Sequence, residues 1–213
     1  MIKFNGVTVN YGDYVVINNA NFTIKKGKIT CVIGDSGAGK TTLLNVLSNI
    51  TKITNGSIEN MPKTASYAFQ EHSLILNKTV YENLVLFTGE NDKQKVQNCL
   101  QKVNLLDKID AYVCTLSGGE KQRVNLVRAM LKNSDILLLD EPFNALDLSL
   151  KFSVAKALKS HVKSNNLTTV IVTHDLSLLE FLADEVLVIN NGKVIILDSE
   201  NSTFSDKISK IYK

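Results

Sequence analysis

Short apolar runs rich in Val and Ile alternate along this chain with longer stretches of helical spacing, the pattern of an α/β domain with a mainly parallel core sheet. Residues 29–33, 136–139 and 169–172 are continuously apolar rather than alternating, which predicts strands covered on both faces. Each run ends in polar residues: Gly34, then Asp140-Glu141, then Thr173-His174-Asp175. In open α/β sheets ligands lie beyond the carboxyl ends of the strands, so three such ends point to one site. Alternation around Val7-Thr8-Val9 predicts an N-terminal antiparallel β layer. Residues 185–198 read as a hairpin, with strands at 186–189 and 194–197 and Asn191-Gly192 as a turn that tolerates positive φ.

The middle differs. Residues 71–133 show helical spacing, many polar positions and no convincing strand, which predicts a helical subdomain inserted into a core of residues 1–70 and 134–213. Thr79 with Glu82, and Ser117 with Glu120, have capping-box spacing and mark helix starts. Residues 199–213 read as a short terminal helix or a frayed tail. A length of 213 residues suits one domain with a small subdomain.

Charge and cysteine content narrow the partners. A net charge of +3 with scattered lysines is too weak to argue for nucleic acid, so none is expected. Cys31, Cys99 and Cys114 are odd in number and widely separated, which predicts reduced thiols in a cytosolic protein. No signal-peptide pattern opens the sequence, and no apolar run approaches the roughly 20 residues of a membrane span. Contact with a membrane is therefore expected to go through a partner.

Gly34-Asp35-Ser36-Gly37-Ala38-Gly39-Lys40-Thr41-Thr42 matches the Walker A pattern between a strand and a helix. Its glycines let backbone N–H groups turn inward as an anion nest, and the helix dipole adds positive potential there. Lys40 can reach the β- and γ-phosphates of ATP, and the Thr41 hydroxyl can ligate Mg²⁺. Residues 136–142, Ile-Leu-Leu-Leu-Asp-Glu-Pro, match Walker B. Asp140 would hold Mg²⁺, and Glu141, one residue nearer the γ-phosphate, would be the general base for the attacking water. The plainer alternative is an acidic N-cap before a Pro-initiated helix.

The segment Leu116-Ser117-Gly118-Gly119-Glu120-Lys121-Gln122-Arg123 resembles the LSGGQ-like signature of the ATP-binding-cassette (ABC) family. It also reads as a capped helix start, and the two readings are compatible because a glycine-bearing helix N-terminus is a phosphate site. The rest of the chain follows the family's order from residue 1 to about 198. Tyr11, with Tyr14 as its neighbouring competitor, resembles the aromatic that stacks on adenine. Gln70 resembles the glutamine that contacts Mg²⁺ or the attacking water and responds to the membrane partner. Asn144-Ala145-Leu146-Asp147 resembles the loop that crosses the dimer interface, and His174 the switch histidine that bonds the γ-phosphate. His72 and His161 lack such a context and read as structural or exposed.

The resemblance implies a P-loop NTPase fold and transport-coupled ATP hydrolysis with Mg²⁺. Two nucleotide-binding domains would close head to tail, so that Ser117, Gly118, Gly119 and Glu120 of one chain face the ATP held by Lys40 of the other. It also implies permease subunits, a solute-binding protein as a further partner, and a place on the inner face of the cell membrane. Import is favoured by the run Asp140-Glu141-Pro142-Phe143-Asn144-Ala145-Leu146-Asp147. The alternatives are an exporter or lipoprotein-release ATPase, and a soluble ABC-type ATPase acting on nucleic acid or ribosomes. Glu120 in place of Gln, and a short segment between Gln70 and Ser117, depart from the importer pattern.

Overall fold

A computed structural model describes residues 1–71, 73–198 and 203–211. Strands β1 (Ile2–Tyr11) and β2 (Tyr14–Ile24) form a hairpin that begins an antiparallel sheet, completed by β4 (Asn55–Glu59) in the order β2-β1-β4. The second sheet has six strands: β3 (Ile29–Gly34), β5 (Ala65–Ala68), β6 (Ile136–Asp140), β7 (Thr168–Val172), β8 (Glu185–Asn190) and β9 (Lys193–Asp198). Their order is β5-β6-β7-β3-β8-β9, with all pairings parallel except the final β8–β9 hairpin. Asn191 and Gly192, both at positive φ, make its two-residue turn, as expected for strands with right-handed twist.

The continuous apolar runs are explained by what lies on each side. Val32, Ile136, Leu138, Val170, Val172, Leu187 and Ile189 pack with β1, β2 and the helix α1 (Lys40–Leu47). Their neighbours Cys31, Ile33, Leu137, Leu139, Ile171, Val186 and Val188 pack on the opposite face. Strand side chains alternate in direction, so a strand covered on both faces must be apolar throughout. Burial of Cys31 in that second layer raises its thiol pKa to about 12, and the described cysteines are unpaired.

Between residues 71 and 133 the described chain forms α2 (Val80–Thr88), α3 (Lys93–Lys102), two short 3₁₀ turns and α4 (Gly118–Leu131). An isolated bridge between Thr79 and Tyr112 is added to these helices. Both capping boxes form: Thr79 and Ser117 accept from the backbone of Glu82 and Glu120, whose carboxylates reach back. Val80, Leu84, Leu100, Val124 and Val127 belong to the same buried cluster as Leu137 and Ile171, so these helices share the core of the sheet. Helices α5 (Leu148–Ser164), α6 (Leu176–Leu182) and α7 (Phe204–Ile211) complete the chain. The expected terminal helix is thus present at 204–211, while 199–202, 212–213 and His72 lie outside the described residues. His161 sits in α5, where burial lowers its pKa, consistent with a structural role.

Candidate functional site

The phosphate loop leaves β3 at Gly34 and enters α1 at Lys40. Gly39 is the N-cap at φ 104°, and a Cβ there would lie 2.6 Å from a Val16 methyl. Glycine is required on both counts, since this backbone region strains L-residues and β2 leaves no room for a side chain. The Lys40 ammonium donates to the carbonyls of Gly34 (2.8 Å) and Asp35 (2.7 Å), which holds it over its own loop. The first-turn N–H groups of α1 have no intrahelical acceptors, so the loop presents donors and a positive dipole end together.

Next to this loop, the Thr41 hydroxyl donates to Asp140 Oδ2 at 2.8 Å. Asp140 ends β6 and is only 3% exposed; burial raises its pKa, with the Thr41 bond and the Lys40 charge opposing that shift. A buried carboxylate and a hydroxyl in contact are hard oxygen donors of the type Mg²⁺ uses. Among the described residues no group of three or more His, Cys, Asp or Glu side chains forms a metal cluster. The Thr41–Asp140 pair fits a cation that completes its shell with phosphate and water oxygens, as Mg²⁺ does.

Glu141 and His174 follow β6 and β7. The two strands pair in parallel, Asp140 opposite Val172, and this register brings the Glu141 carboxylate within 2.9 Å of His174 Nδ1. The Glu141 side chain is largely buried, whereas that of His174 is 70% exposed. Glu141 has φ +50°, a conformation that costs a non-glycine residue about 1–3 kcal/mol and persists only when its surroundings impose it. Its N–H donates to Val172 O at 3.0 Å, and its carbonyl accepts from Asn144 N at 3.3 Å and Gln122 Nε2 at 3.0 Å.

Gln70 lies two residues past β5. Ala68, the last residue of β5, is opposite Leu139 of β6, so Gln70 follows β5 at the sheet edge where Glu141 follows β6, and it is exposed. Ser117 opens α4, and its Oγ accepts from Glu120 N at 3.3 Å while Glu120 Oε2 accepts from Ser117 N at 2.8 Å. Those Ser117 contacts hold the Glu120 carboxyl below the usual range. Capping uses one lone pair of the hydroxyl and leaves its O–H proton to donate elsewhere. The two glycines differ: a Cβ on Gly119 would lie 2.8 Å from the Ala145 carbonyl, whereas one on Gly118 would meet nothing within 4 Å. Close packing on Ala145 and Leu146 thus accounts for Gly119 within one chain. Asp147 caps α5 by accepting from Leu150 N at 3.0 Å.

The aromatic pair is arranged in a way its sequence order does not show. Tyr11 and Tyr14 pair across the β1–β2 hairpin. A hollow of about 310 Å³ beside loop residues 35–38 is lined by Tyr14, Val15 and Val16. Tyr11 is half exposed, with its hydroxyl 3.3 Å from Thr51 Oγ1.

Sequence reasoning missed the polar face of α4. Gln122, Asn125 and Arg128 are buried, at three-residue spacing among Val124, Leu126 and Val127. Asn125 donates to the carbonyl of Phe69 (2.9 Å), and Arg128 to those of Ser73 (2.7 Å) and the Asn125 side chain (2.6 Å). The available signal was polar residues recurring on one face of an otherwise apolar helix.

A parallel sheet whose carboxyl edge gathers a phosphate loop, two consecutive carboxylates and a histidine defines a P-loop ATPase. Comparison with known proteins narrows the class: residues 17–144 match the ABC transporter family, to which this chain belongs. It is 37% identical over 195 residues to the aliphatic sulfonates import ATP-binding protein of Corynebacterium glutamicum, covering 89% of this chain and 80% of that one. It is 32% identical to the glutamine transport ATP-binding protein of Bacillus subtilis, covering 92% and 89%. A bacterial ABC transporter cassette solved as a dimer superposes with TM-score 0.82 at 28% identity, covering 93% and 98%. A second solved structure of that cassette, in a post-hydrolysis state with ADP and phosphate, gives 0.81 at 27% identity, with the same coverage. The chain is an ATP-binding and ATP-hydrolysing cassette.

Proposed function

We propose that this cassette powers import of a solute through permease subunits, working as one member of an ATP-closed pair on the inner face of the cell membrane. The observation that carries this reading is the gathering of Lys40, Thr41, Asp140, Glu141 and His174 at one sheet edge, while the signature begins a separate helix at exposed Ser117 and Gly118. The dimeric cassette it resembles supports a second copy or a related domain as partner. Import is supported by the names of the relatives, which include sulfonate, glutamine and phosphonate import or transport subunits. Those names differ in solute, so the solute is assigned to the permease and its binding protein.

In this reading the loop 34–42 cradles the phosphates and Lys40 releases its loop carbonyls to bond the β- and γ-phosphate oxygens. Thr41, Asp140 and Gln70 would hold Mg²⁺, which supplies neutralisation of charge developing on the phosphates. Glu141 accepts the proton of the attacking water, and His174 fixes the carboxylate and bonds the γ-phosphate. Ser117 to Glu120, with Asp147, come from the partner chain and close the site. Among the described residues no helix is long and apolar enough to cross a membrane. The permease would instead dock in a groove of about 350 Å³ whose lining includes Ile50, Phe69 and Phe87, all exposed. Gln70 directly follows the lining residue Phe69, which gives docking a route to the site.

The test is ATPase assay and nucleotide binding of Lys40→Ala, with co-purification against candidate permeases. Loss of ATP affinity and recovery of a membrane subunit are expected. Unchanged nucleotide binding would contradict the role of the loop, and purification with ribosomes or nucleic acid instead of a permease would contradict the transport reading.

A further inference from the structure

Glu141 stands in a backbone conformation that its own side chain does not favour, and it precedes Pro142, which further restricts the residue before it. Something must hold it. The N–H is fixed by β7 through Val172, but among the described residues the carbonyl has only a long turn bond from Asn144 besides the bond from Gln122. Gln122 is 4% exposed, so this bond is shielded from water.

Gln122 is itself held. Three residues along α4, Asn125 bonds the carbonyl of Phe69, and three further, Arg128 bonds Asn125 and the carbonyl of Ser73. One face of the helix that begins with Ser117 therefore bonds the backbone carbonyls of Glu141, Phe69 and Ser73. The same helix start abuts Ala145 and Leu146 through Gly119.

We propose that Gln122 is a positioning residue for ATP hydrolysis, orienting the Glu141 peptide so that the carboxylate meets the attacking water. This rests on the reading of Glu141 as the general base. Gln122 is buried and its amide is committed to the backbone of Glu141, so it acts on the chemical step and leaves nucleotide affinity alone. A shift of about 1 Å in a catalytic group costs up to roughly 100-fold in rate.

The experiment compares Gln122→Met, of similar length but without a donor, with Glu141→Gln in steady-state ATPase assays and ATP binding. Expected for Gln122→Met are a kcat reduced about 10- to 100-fold, with KM and Kd for ATP within twofold of wild type. Wild-type kcat in Gln122→Met alongside an inactive Glu141→Gln would overturn the positioning role alone. Full activity of Glu141→Gln would instead overturn the general-base reading. A parallel rise in KM and Kd would mark Gln122 as merely structural and also overturn the proposal. Should Gln122→Met fail to fold, Gln122→Asn, which keeps an amide one methylene too short to reach the carbonyl, provides the same readout.

Discussion

Glu141 and His174 meet at 2.9 Å across the carboxyl ends of two adjacent parallel strands, one side chain largely buried and the other mostly exposed. The parallel register of β6 and β7 brings the two strand ends side by side, one carrying each residue. Replacing His174 with Ala frees the carboxylate without touching the phosphate loop. kcat should fall by about 100-fold or more, the scale of general acid–base effects, with ATP affinity changed far less. Stopped-flow phosphate release separates the two parameters.

Asp140 has a folded-state pKa raised above its ordinary value by burial. A raised acid pKa means that stability present at low pH is lost as pH climbs through the folded value. Asp140→Asn should therefore melt higher than wild type at neutral pH without nucleotide, and the difference should shrink on acidification. It should also lose Mg²⁺-dependent turnover. Thermal melts at several pH values check the sign.

The two signature glycines should separate under substitution. Gly119→Ala forces a contact with the Ala145 carbonyl and should cost about 1–3 kcal/mol of stability as an overpacked site. Gly118→Ala meets nothing within 4 Å among the described residues, so stability should be unchanged or slightly raised. If the partner's phosphate approaches there, Gly118→Ala should still lose ATP-driven association. Urea midpoints and sedimentation measure the two effects independently.

Tyr11 and Tyr14 make competing claims on the adenine. Stacking on a base is worth about 1–3 kcal/mol, so the Ala variant of the stacking residue should weaken ATP binding by about 10-fold or more. The family resemblance assigns this to Tyr11, while the hollow beside the loop is lined by Tyr14. Calorimetric titration of both variants decides between them.

Much of this architecture could be read from residue patterns. The uninterrupted apolar runs at β3, β6 and β7 demanded cover on both faces, and both capping boxes formed where Ser or Thr preceded Glu by three. The loop 34–42 and the Asp140-Glu141 pair were legible because their chemistry is written in consecutive residues. The bond from Gln122 to Glu141 was not, since it spans 19 residues and depends on how α4 crosses the sheet edge. Nor was the positive φ of Glu141, because glutamate carries no sequence signal for that conformation. The intrachain reason for Gly119 was hidden likewise, as its neighbour Ala145 is distant in sequence.

The most direct test of the ATP-closed pair is sedimentation of Glu141→Gln with and without Mg²⁺-ATP, with the bound nucleotide then analysed. A monomer without nucleotide, a dimer with ATP, and unhydrolysed ATP recovered from that dimer are predicted. A variant that hydrolyses ATP at the wild-type rate, or binds it and remains a monomer, would contradict the account.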